Sequence, residues 1–305
     1  MSLVKGIELL KNAKQNNFAV GAFNFTSLEQ LKAIIKACKE TNTGCFLSTS
    51  ESAIEFMGLK NIISMVKNEV EDLDLPFVLH LDHGKSFEKC KQCVDAGYTS
   101  IMIDGSKLSV EENISLTKQV ADYAHKFDVS VEGEIGKIEG IEDNTISKEQ
   151  ILTSPIDAKN FIKKTGVDSL AISIGTSHGA YKFKGESKLE IELLKQINSL
   201  TNNFPLVLHG ASSVSKNLVE NFKIVGGDLL TAKGVDDKSI KDAIDGGICK
   251  INVDTDLRIA FTTGIRKSLL NPKIYSPRDY LTDAIESMKE EVINRINLFN
   301  NKKRA

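Results

Sequence analysis

Eight short apolar runs recur along the sequence, and the longer segments between them have the patterning of helices. Each run is nearly continuous in apolar residues until its C-terminal end, which is typical of parallel strands buried on both faces. Successive runs are separated by enough chain for one helix and two loops. The runs occupy residues 18–25, 45–50, 77–84, 100–106, 130–136, 169–178, 206–212 and 249–256.

This alternation predicts a (β/α)8 TIM barrel, with residues 1–305 forming a single catalytic domain. An open, doubly wound parallel sheet is the alternative fold. No proline- or glycine-rich linker divides the chain. The loop over residues 137–155 is long and polar, and we expect a loop of that size in a compact barrel to be functional.

Local signals predict where several helices begin and end. Thr26 followed by Glu29 predicts a capping box at a helix start. Ser86 predicts a second helix start, and Gly97 predicts the end of that helix. An apolar stripe over residues 279–296 predicts a last helix packed on the sheet.

Charge and hydropathy disfavour two kinds of partner. The chain has 39 Lys and Arg against 41 Asp and Glu, a net charge of −2, whereas nucleic-acid and polybasic membrane binding need a concentrated positive face. No apolar stretch approaches the roughly 18–20 residues that cross a bilayer, and residues 1–15 do not resemble a secretory signal. We therefore expect a cytoplasmic protein with no nucleic-acid and no membrane partner.

The five cysteines are expected to be free thiols in a reducing compartment. Cys90-x-x-Cys93 has the spacing of half a zinc motif, but neither a second pair nor an adjacent histidine completes it. The helical spacing of Cys90 from Phe87 and Val94 predicts a place in the core instead.

Three histidines lie near the ends of predicted strands. His83, His178 and His209 belong to the third, sixth and seventh runs. A barrel of this kind builds its active site at the C-terminal ends of its strands, so the three imidazoles should converge. Three imidazoles around one point are typical of a catalytic zinc ion with an open fourth position. His80 lies deeper in the third run and is expected inside the barrel.

Carboxylates occupy equivalent strand ends at Asp82, Asp104 and Glu134. Asp104 and Glu134 could hold a second metal position, hydrogen-bond the imidazoles, or cap neighbouring loops. Asp82 immediately precedes His83, and strict strand alternation would send the two side chains to opposite faces. Both reach one site only if the strand ends or bends there, which Gly84 would permit.

Two loops beyond the last strands have the composition of phosphate sites. Gly210-Ala211-Ser212-Ser213 and Asn252-Val253-Asp254-Thr255 each lead into a helix. Backbone N–H groups at a helix start, with nearby hydroxyls, bind phosphate, and barrels often do so after strands seven and eight. No nucleotide-binding glycine motif is present in the sequence. The residues alone therefore favour carbon–carbon cleavage or isomerisation of a phosphorylated sugar, and equally metal-assisted hydrolysis.

Several long segments, in order and over nearly the whole chain, are similar to the class II, metal-dependent fructose-bisphosphate aldolases. The resemblance implies a lyase of glycolysis and gluconeogenesis that reversibly cleaves fructose 1,6-bisphosphate to dihydroxyacetone phosphate and glyceraldehyde 3-phosphate. It also implies a homodimer or a higher homo-oligomer. The segments are AFNF, SESAIEFMG, LHLDHGKSFEKCKQCVDAGYTSIMIDGS, VEGEIG, SIGTSHGAYK, LVLHGASSV and KINVDTDLRIAFT.

The resemblance also implies a catalytic zinc ion, which polarises the C2 carbonyl of the substrate and stabilises the enediolate. Its ligands would be His83, His178 and His209. Asp104 and Glu134 match residues around a second or displaced metal position. The resemblance leaves open whether a second divalent metal or a monovalent cation binds there. Asp82 matches the acid/base that takes the C4 hydroxyl proton in cleavage and returns it in condensation.

Further positions match substrate contacts of the family. Asn252 matches a residue that helps to hold the enediolate, and Arg258 one that reaches the second phosphate, across a dimer. Asp254 resembles the fructose-type pattern, in which an aspartate faces the C4 hydroxyl. The other matching positions are Asn24, Ser50, Gly179, Gly210, Ala211, Ser212, Val253 and Thr255.

Glu142, in the 137–155 loop, matches the carboxylate that exchanges the C3 proton of dihydroxyacetone phosphate. The family usually has Gly-Gly before this segment, whereas this chain has Ile138-Glu139-Gly140. Glu139 and Asp143 are therefore alternatives to Glu142.

Other functions stay open at this point. The same family includes tagatose-bisphosphate and other ketose-bisphosphate aldolases. A metal-dependent barrel hydrolase is less favoured, because residues 22–24 lack the His-x-His pair such enzymes often carry on strand one. A non-catalytic phosphosugar-binding protein would not need Asp82. A lysine Schiff base is another route to aldol cleavage, but Lys107 and Lys182 lie beyond the strand ends.

Overall fold

Eight parallel strands close into a barrel in the computed structural model, which describes residues 3–142, 145–147, 150–178, 189–229 and 234–300. The (β/α)8 prediction is confirmed, and the open-sheet alternative is wrong. Numbered along the chain, the barrel strands are β1 (Val20–Asn24), β2 (Cys45–Ser50), β3 (Phe77–Gly84), β4 (Ser100–Ile103), β5 (Ser130–Ile135), β8 (Ser169–Ile172), β10 (Leu206–Leu208) and β11 (Ile248–Val253). They are hydrogen-bonded in the order β1-β11-β10-β8-β5-β4-β3-β2.

Helices surround the barrel and bury their apolar faces against it, so the main core lies between the two layers. No helix among the described residues is long and apolar enough to span a bilayer. The helices are α1 (Gly6–Asn16), α2 (Leu28–Thr41), α3 (Glu51–Met57), α4 (Leu59–Val70), α5 (Phe87–Ala96), α6 (Val110–Ala124), α7 (Pro155–Thr165), α8 (Ile191–Leu200), α9 (Lys216–Ile224), α10 (Asp237–Gly246), α11 (Thr255–Leu269) and α12 (Pro277–Phe299), with a short 3-10 helix at His125–Phe127.

The helix-end predictions have different outcomes. Ser86 caps α5 by accepting a hydrogen bond from the Lys89 amide, and Gly97 ends that helix in the left-handed conformation, as predicted. The capping box at Thr26 and Glu29 is wrong. The helix begins one residue later, with Ser27 as its cap, and the Gln30 side chain reaches back to the Thr26 amide over 2.7 Å.

The predictions that the cysteines are free, that Cys90 lies in the core and that a last helix packs there too are confirmed. All five cysteines lie within the described residues, buried and without disulfides. Helix α12 places Met288, Val292 and Ile296 in the core.

The 137–155 loop contributes two strands to a small second sheet. Strands β6 (Glu139–Glu142) and β7 (Thr145–Ser147) form an antiparallel pair, and β6 also pairs in parallel with β9 (Ser177–His178). The sixth predicted run, 169–178, is therefore two strands in two sheets. Since β8 ends at Ile172, His178 lies beyond the barrel strand rather than at its tip.

Candidate active site

A bulge near the end of β3 brings Asp82 and His83 to the same side. The pairing with β4 slips by one residue between Leu81 and Gly84, and His83 adopts a left-handed backbone with φ of 48°. Gly84 does not carry this conformation, contrary to our expectation. A Cβ at Gly84 would lie 2.7 Å from the carbonyl oxygen of Met102, so glycine is needed there for close packing of β3 on β4.

The Asp82 carboxylate is buried and held by two side-chain amides. Asn24 Nδ2 donates to Oδ2 and Asn252 Nδ2 donates to Oδ1, both over 2.8 Å. The two asparagines lie at the ends of β1 and β11. The amide oxygens of both have no hydrogen-bond partner among the described residues, although they are buried. The carboxylate is thus fixed in orientation beside two acceptor atoms that a ligand hydroxyl could satisfy.

Two predicted imidazoles meet next to this carboxylate. The rings of His83 and His209 lie edge to face with centroids 4.5 Å apart. Candidate ligand atoms of Asp82, His83 and His209 lie within 4.8 Å of one another. Candidate ligand atoms of His83, Asp104 and Glu134 also lie within 4.8 Å of one another. Buried imidazole nitrogens and carboxylate oxygens at this spacing fit a divalent cation such as zinc.

Asp104 orients the His83 ring. Its Oδ2 lies 3.1 Å from His83 Nδ1, and its Oδ1 accepts from the backbone N–H of Ser106 over 3.0 Å. Burial by itself would raise the pKa of Asp104, but these hydrogen bonds hold it below the usual range. Asp104 is therefore a carboxylate. Because a carboxylate only accepts, His83 carries its proton on Nδ1 and its lone pair on Nε2. Glu134 Oε2 lies 3.7 Å from the same Nδ1.

The third predicted imidazole belongs to the small sheet. The backbone of His178 pairs with Gly140 of β6, but its side chain lies outside the described part of the chain. The same is true of the side chains of Glu139 and Glu142 and of the whole of Asp143 and Gly179.

The loop after β10 is held in place by a buried aspartate of α11. Asp256 accepts hydrogen bonds from the backbone N–H groups of Ser213 and Val214, each over 2.8 Å. Gly210 begins this loop with a φ of 63°, and a Cβ there would lie 2.7 Å from the Ser177 carbonyl oxygen. Ser212 is buried in the same turn. The predicted phosphate loop is therefore an ordered turn beside β9.

The neighbouring loop after β11 starts helix α11 at Thr255. Asp254, the residue before that helix, forms a two-pronged ion pair with Arg258, through contacts of 2.8 and 2.7 Å. Arg258 is exposed, whereas Asp254 is partly buried. The remaining predicted positions, Ser50, Ala211 and Val253, are buried around the same end of the barrel, and Ser50 is paired in register with Asp82.

Sequence reasoning missed a buried charge pair beneath the imidazoles. Lys250 Nζ donates to Glu132 Oε2 over 2.8 Å, and Glu132 Oε1 accepts from His209 Nε2 over 2.9 Å. Burial by itself would raise the pKa of Glu132, but Lys250 and His209 hold it well below its usual range. Burial and Lys250 lower the pKa of His80 well below 6.5, so this ring is neutral. The sequence signal that could have revealed this pair is Lys250, a lysine near the start of an apolar run.

The fold and this cluster indicate a TIM-barrel enzyme with a candidate metal site. Comparison with known proteins narrows the class. The family model described as "Fructose-bisphosphate aldolase class-II" matches residues 4–304. The chain therefore belongs to the class II fructose-bisphosphate aldolase family.

Individual relatives agree with this assignment. The chain is 46% identical over 300 residues to the fructose-bisphosphate aldolase of Helicobacter pylori (strain ATCC 700392 / 26695), covering 97% of each chain. It is 43% identical to that of Thermus caldophilus, covering 99% of this chain and 100% of the relative. Among solved structures, the YdjI aldolase from Escherichia coli K12 superposes with a TM-score of 0.80 at 26% identity, covering 99% of both chains.

Proposed function

We propose that this protein is a zinc-dependent aldolase that reversibly cleaves fructose 1,6-bisphosphate between C3 and C4. The observation that carries this proposal is the buried Asp82 carboxylate, which Asn24 and Asn252 hold next to His83 and His209. Family membership supplies the reaction class, and this arrangement supplies the acid/base that the reaction needs.

Zinc is the ion we propose, with His83, His178 and His209 as ligands and Asp104 and Glu134 near a second position. The mixed nitrogen and oxygen donors support it. When bound, the ion supplies polarisation of the substrate carbonyl and stabilises the negative charge that develops on cleavage.

Asp82 takes the C4 hydroxyl proton of the open-chain ketose as the C3–C4 bond breaks, and returns it in condensation. Both carboxylate oxygens already accept amide hydrogen bonds. The carboxylate therefore does not need to reorient when the proton arrives. The buried amide oxygens of Asn24 and Asn252 are in place to accept from substrate hydroxyls.

The phosphates are bound by loops rather than by a basic surface. We assign the dihydroxyacetone phosphate end to the turn at Gly210 and Ser212 and to Thr255 at the start of α11. Gly179, which follows His178 in the sequence, is assigned to the same phosphate. Helix-start N–H groups and hydroxyls suit this role. Arg258 would bind the other phosphate in a homodimer, and a measured solution mass of one chain would contradict that part.

Glu142 remains our candidate for exchange of the C3 proton of dihydroxyacetone phosphate, with Glu139 and Asp143 as alternatives. The backbone pairing of β6 with β9 supports this assignment, because it sets the loop beside the backbone of His178. We also propose that the protein acts in the cytoplasm, where a glycolytic enzyme finds its substrate.

The direct test is a coupled assay for triose phosphate release from fructose 1,6-bisphosphate, run beside an assay for free phosphate. We expect triose phosphate to be released without free phosphate. Free phosphate as the product would identify a hydrolase. Tight binding of the sugar with neither product would identify a binding protein.

A further inference from the structure

Four buried polar side chains, three from barrel strands and one directly after β10, form one hydrogen-bonded chain that ends at the imidazole site. The ammonium of Lys250, from β11, donates to Glu132 of β5 over 2.8 Å and to His80 Nε2 of β3 over 3.2 Å. Glu132 in turn accepts from His209, which directly follows β10, over 2.9 Å. None of the four is more than 1% exposed. We call this set the interior relay.

Burying such groups is costly for the fold. Removing an ammonium and a carboxylate from water is unfavourable for each ion, and well-packed apolar residues of similar volume are often as stable or more stable. The Lys250 ammonium also lies 5.3 Å from the centre of the apolar Phe46 ring. A role beyond packing would account for retaining these charges.

Hydrogen-bond chemistry fixes the direction of the relay. An ammonium only donates and a carboxylate only accepts. His80 therefore accepts at Nε2 and carries its proton on Nδ1, 2.9 Å from the Ser100 hydroxyl. Glu132 has one oxygen on Lys250, so its other oxygen accepts the Nε2–H of His209. This hydrogen bond places the lone pair of His209 on Nδ1.

We propose that Lys250 is a positioning residue of the metal site: it fixes Glu132, which holds His209 in the tautomer and orientation that present Nδ1 to the metal. The inference rests on the proposed metal site and adds to it residues that do not contact the ion. Partners of this kind orient metal-binding histidines, and their loss typically weakens metal affinity about 10- to 100-fold.

The test measures metal affinity directly, by zinc competition with a chromophoric chelator, in wild type and Lys250→Met. Because a lone buried Glu132 could prevent folding, the double variant Lys250→Met with Glu132→Met removes both charges together, and with them the acceptor for His209 Nε2–H. Lys14→Met is the matched control. Lys14 is also a partly buried lysine, bonded to Asn198 and the Gly247 carbonyl over 2.8 and 3.0 Å, but it lies near the opposite end of the barrel.

We expect zinc affinity to fall about 10- to 100-fold in both relay variants and to stay unchanged in Lys14→Met. With cobalt in place of zinc, the visible absorption bands should shift in the relay variants only. At saturating metal, kcat should fall while KM for the sugar bisphosphate stays within about twofold. Lower thermal stability with unchanged zinc affinity and cobalt spectrum, in whichever relay variant folds, would overturn the proposal.

These outcomes separate this inference from the proposed function. Zinc affinity and the cobalt spectrum do not depend on which substrate the enzyme cleaves. A wild-type protein that binds zinc but releases no triose phosphate would contradict the aldolase proposal and leave the relay test valid. An active wild-type enzyme whose relay variants bind zinc normally would contradict the relay alone.

Discussion

At the scale of single residues, the proposed chemistry depends on one carboxylate. In Asp82→Asn the two amide neighbours stay in place, but the side chain can no longer take a proton. We expect kcat to fall by about 10²–10⁴-fold, the usual contribution of a general acid/base, with KM changed little. Asp122→Asn, at an exposed position of α6, is the matched control. Steady-state kinetics at saturating zinc measure both variants, and a kcat within threefold of wild type would remove Asp82 from the mechanism.

Asp254 tests the choice between sugar epimers. If this aspartate faces the C4 hydroxyl, Asp254→Ala should lower the preference for fructose over tagatose 1,6-bisphosphate, measured as the ratio of the two kcat/KM values. We expect a decrease of about tenfold or more, because a hydrogen bond to a charged group contributes about 1.5–3 kcal/mol. Arg258 loses its ion-pair partner in the same variant. Arg258→Lys therefore serves as a control for the phosphate contact. An unchanged ratio in Asp254→Ala would contradict the assignment.

At the residue level, convergence could be predicted where chemistry and position in a run agreed. Asp82, His83 and His209 all come from strand ends, and the structure brings them together. Contacts between distant residues were not predictable, because no local pattern joins Asn24, Asp82 and Asn252. Lys250 was missed because a lysine within a strand run usually faces solvent. Only the closed barrel shows that this one points inward.

At the scale of elements, the loop after β10 depends on helix α11 for its shape. Asp256 accepts from two backbone N–H groups of that loop, and an asparagine can accept from only one of them without opposing a donor to the other. We therefore expect Asp256→Asn to raise KM for fructose 1,6-bisphosphate about tenfold, with a smaller effect on kcat. The control is Asp279→Asn, at an exposed position on α12. Equal KM values in the two variants would show that Asp256 does not shape the phosphate site.

Element types were easier to predict than element ends. Periodicity located all eight barrel strands, because runs buried on both faces are continuous in apolar residues. Their C-terminal limits were set too late in several cases. The 206–212 run yields a strand of three residues, Leu206–Leu208. Backbone hydrogen bonds to neighbouring strands decide where a strand ends, and they depend on the twist of the whole barrel. The small sheet of β6, β7 and β9 was missed for the same reason.

At the scale of the whole molecule, stability should depend on a buried carboxyl far along the chain. Burial raises the pKa of Glu291 from 4.5 to about 7. The positive charge of Arg295 lowers this pKa, whereas the negative charges of Asp256 and Asp237 raise it further. A group whose folded pKa is raised binds its proton more tightly in the folded state. Its contribution is therefore favourable at low pH and is lost as the pH rises from about 4.5 through about 7.

Replacing Glu291 with glutamine should remove this dependence. Glu291→Gln should be more stable than wild type at pH 8 and close to wild type at pH 4.5. The difference at pH 8 should reach up to about 3 kcal/mol, because each pKa unit corresponds to about 1.4 kcal/mol. Urea unfolding at the two pH values measures the difference. Glu290→Gln, at the exposed neighbouring position, is the matched control. A stability difference for Glu291→Gln that is the same at both pH values would contradict the prediction.

A net charge of −2 on the whole chain is compatible with a substrate that carries two phosphates. The proposed binding groups are local N–H groups, hydroxyls and one arginine, so no basic surface is required. We propose that the chain forms one domain, since the closed barrel takes strands from residue 20 to residue 253. The barrel thereby gathers site residues from both ends of the sequence.

Activity as a function of bound metal shows directly whether the aldol cleavage depends on a metal ion. The protein is stripped with a strong chelator until elemental analysis finds no metal, and triose phosphate release is then followed as zinc is added back. We predict no activity in the stripped protein, recovery that saturates as the site fills, and no covalent adduct when borohydride is added with substrate. Full activity in the metal-free protein, or a borohydride-trapped adduct on a lysine, would contradict the account.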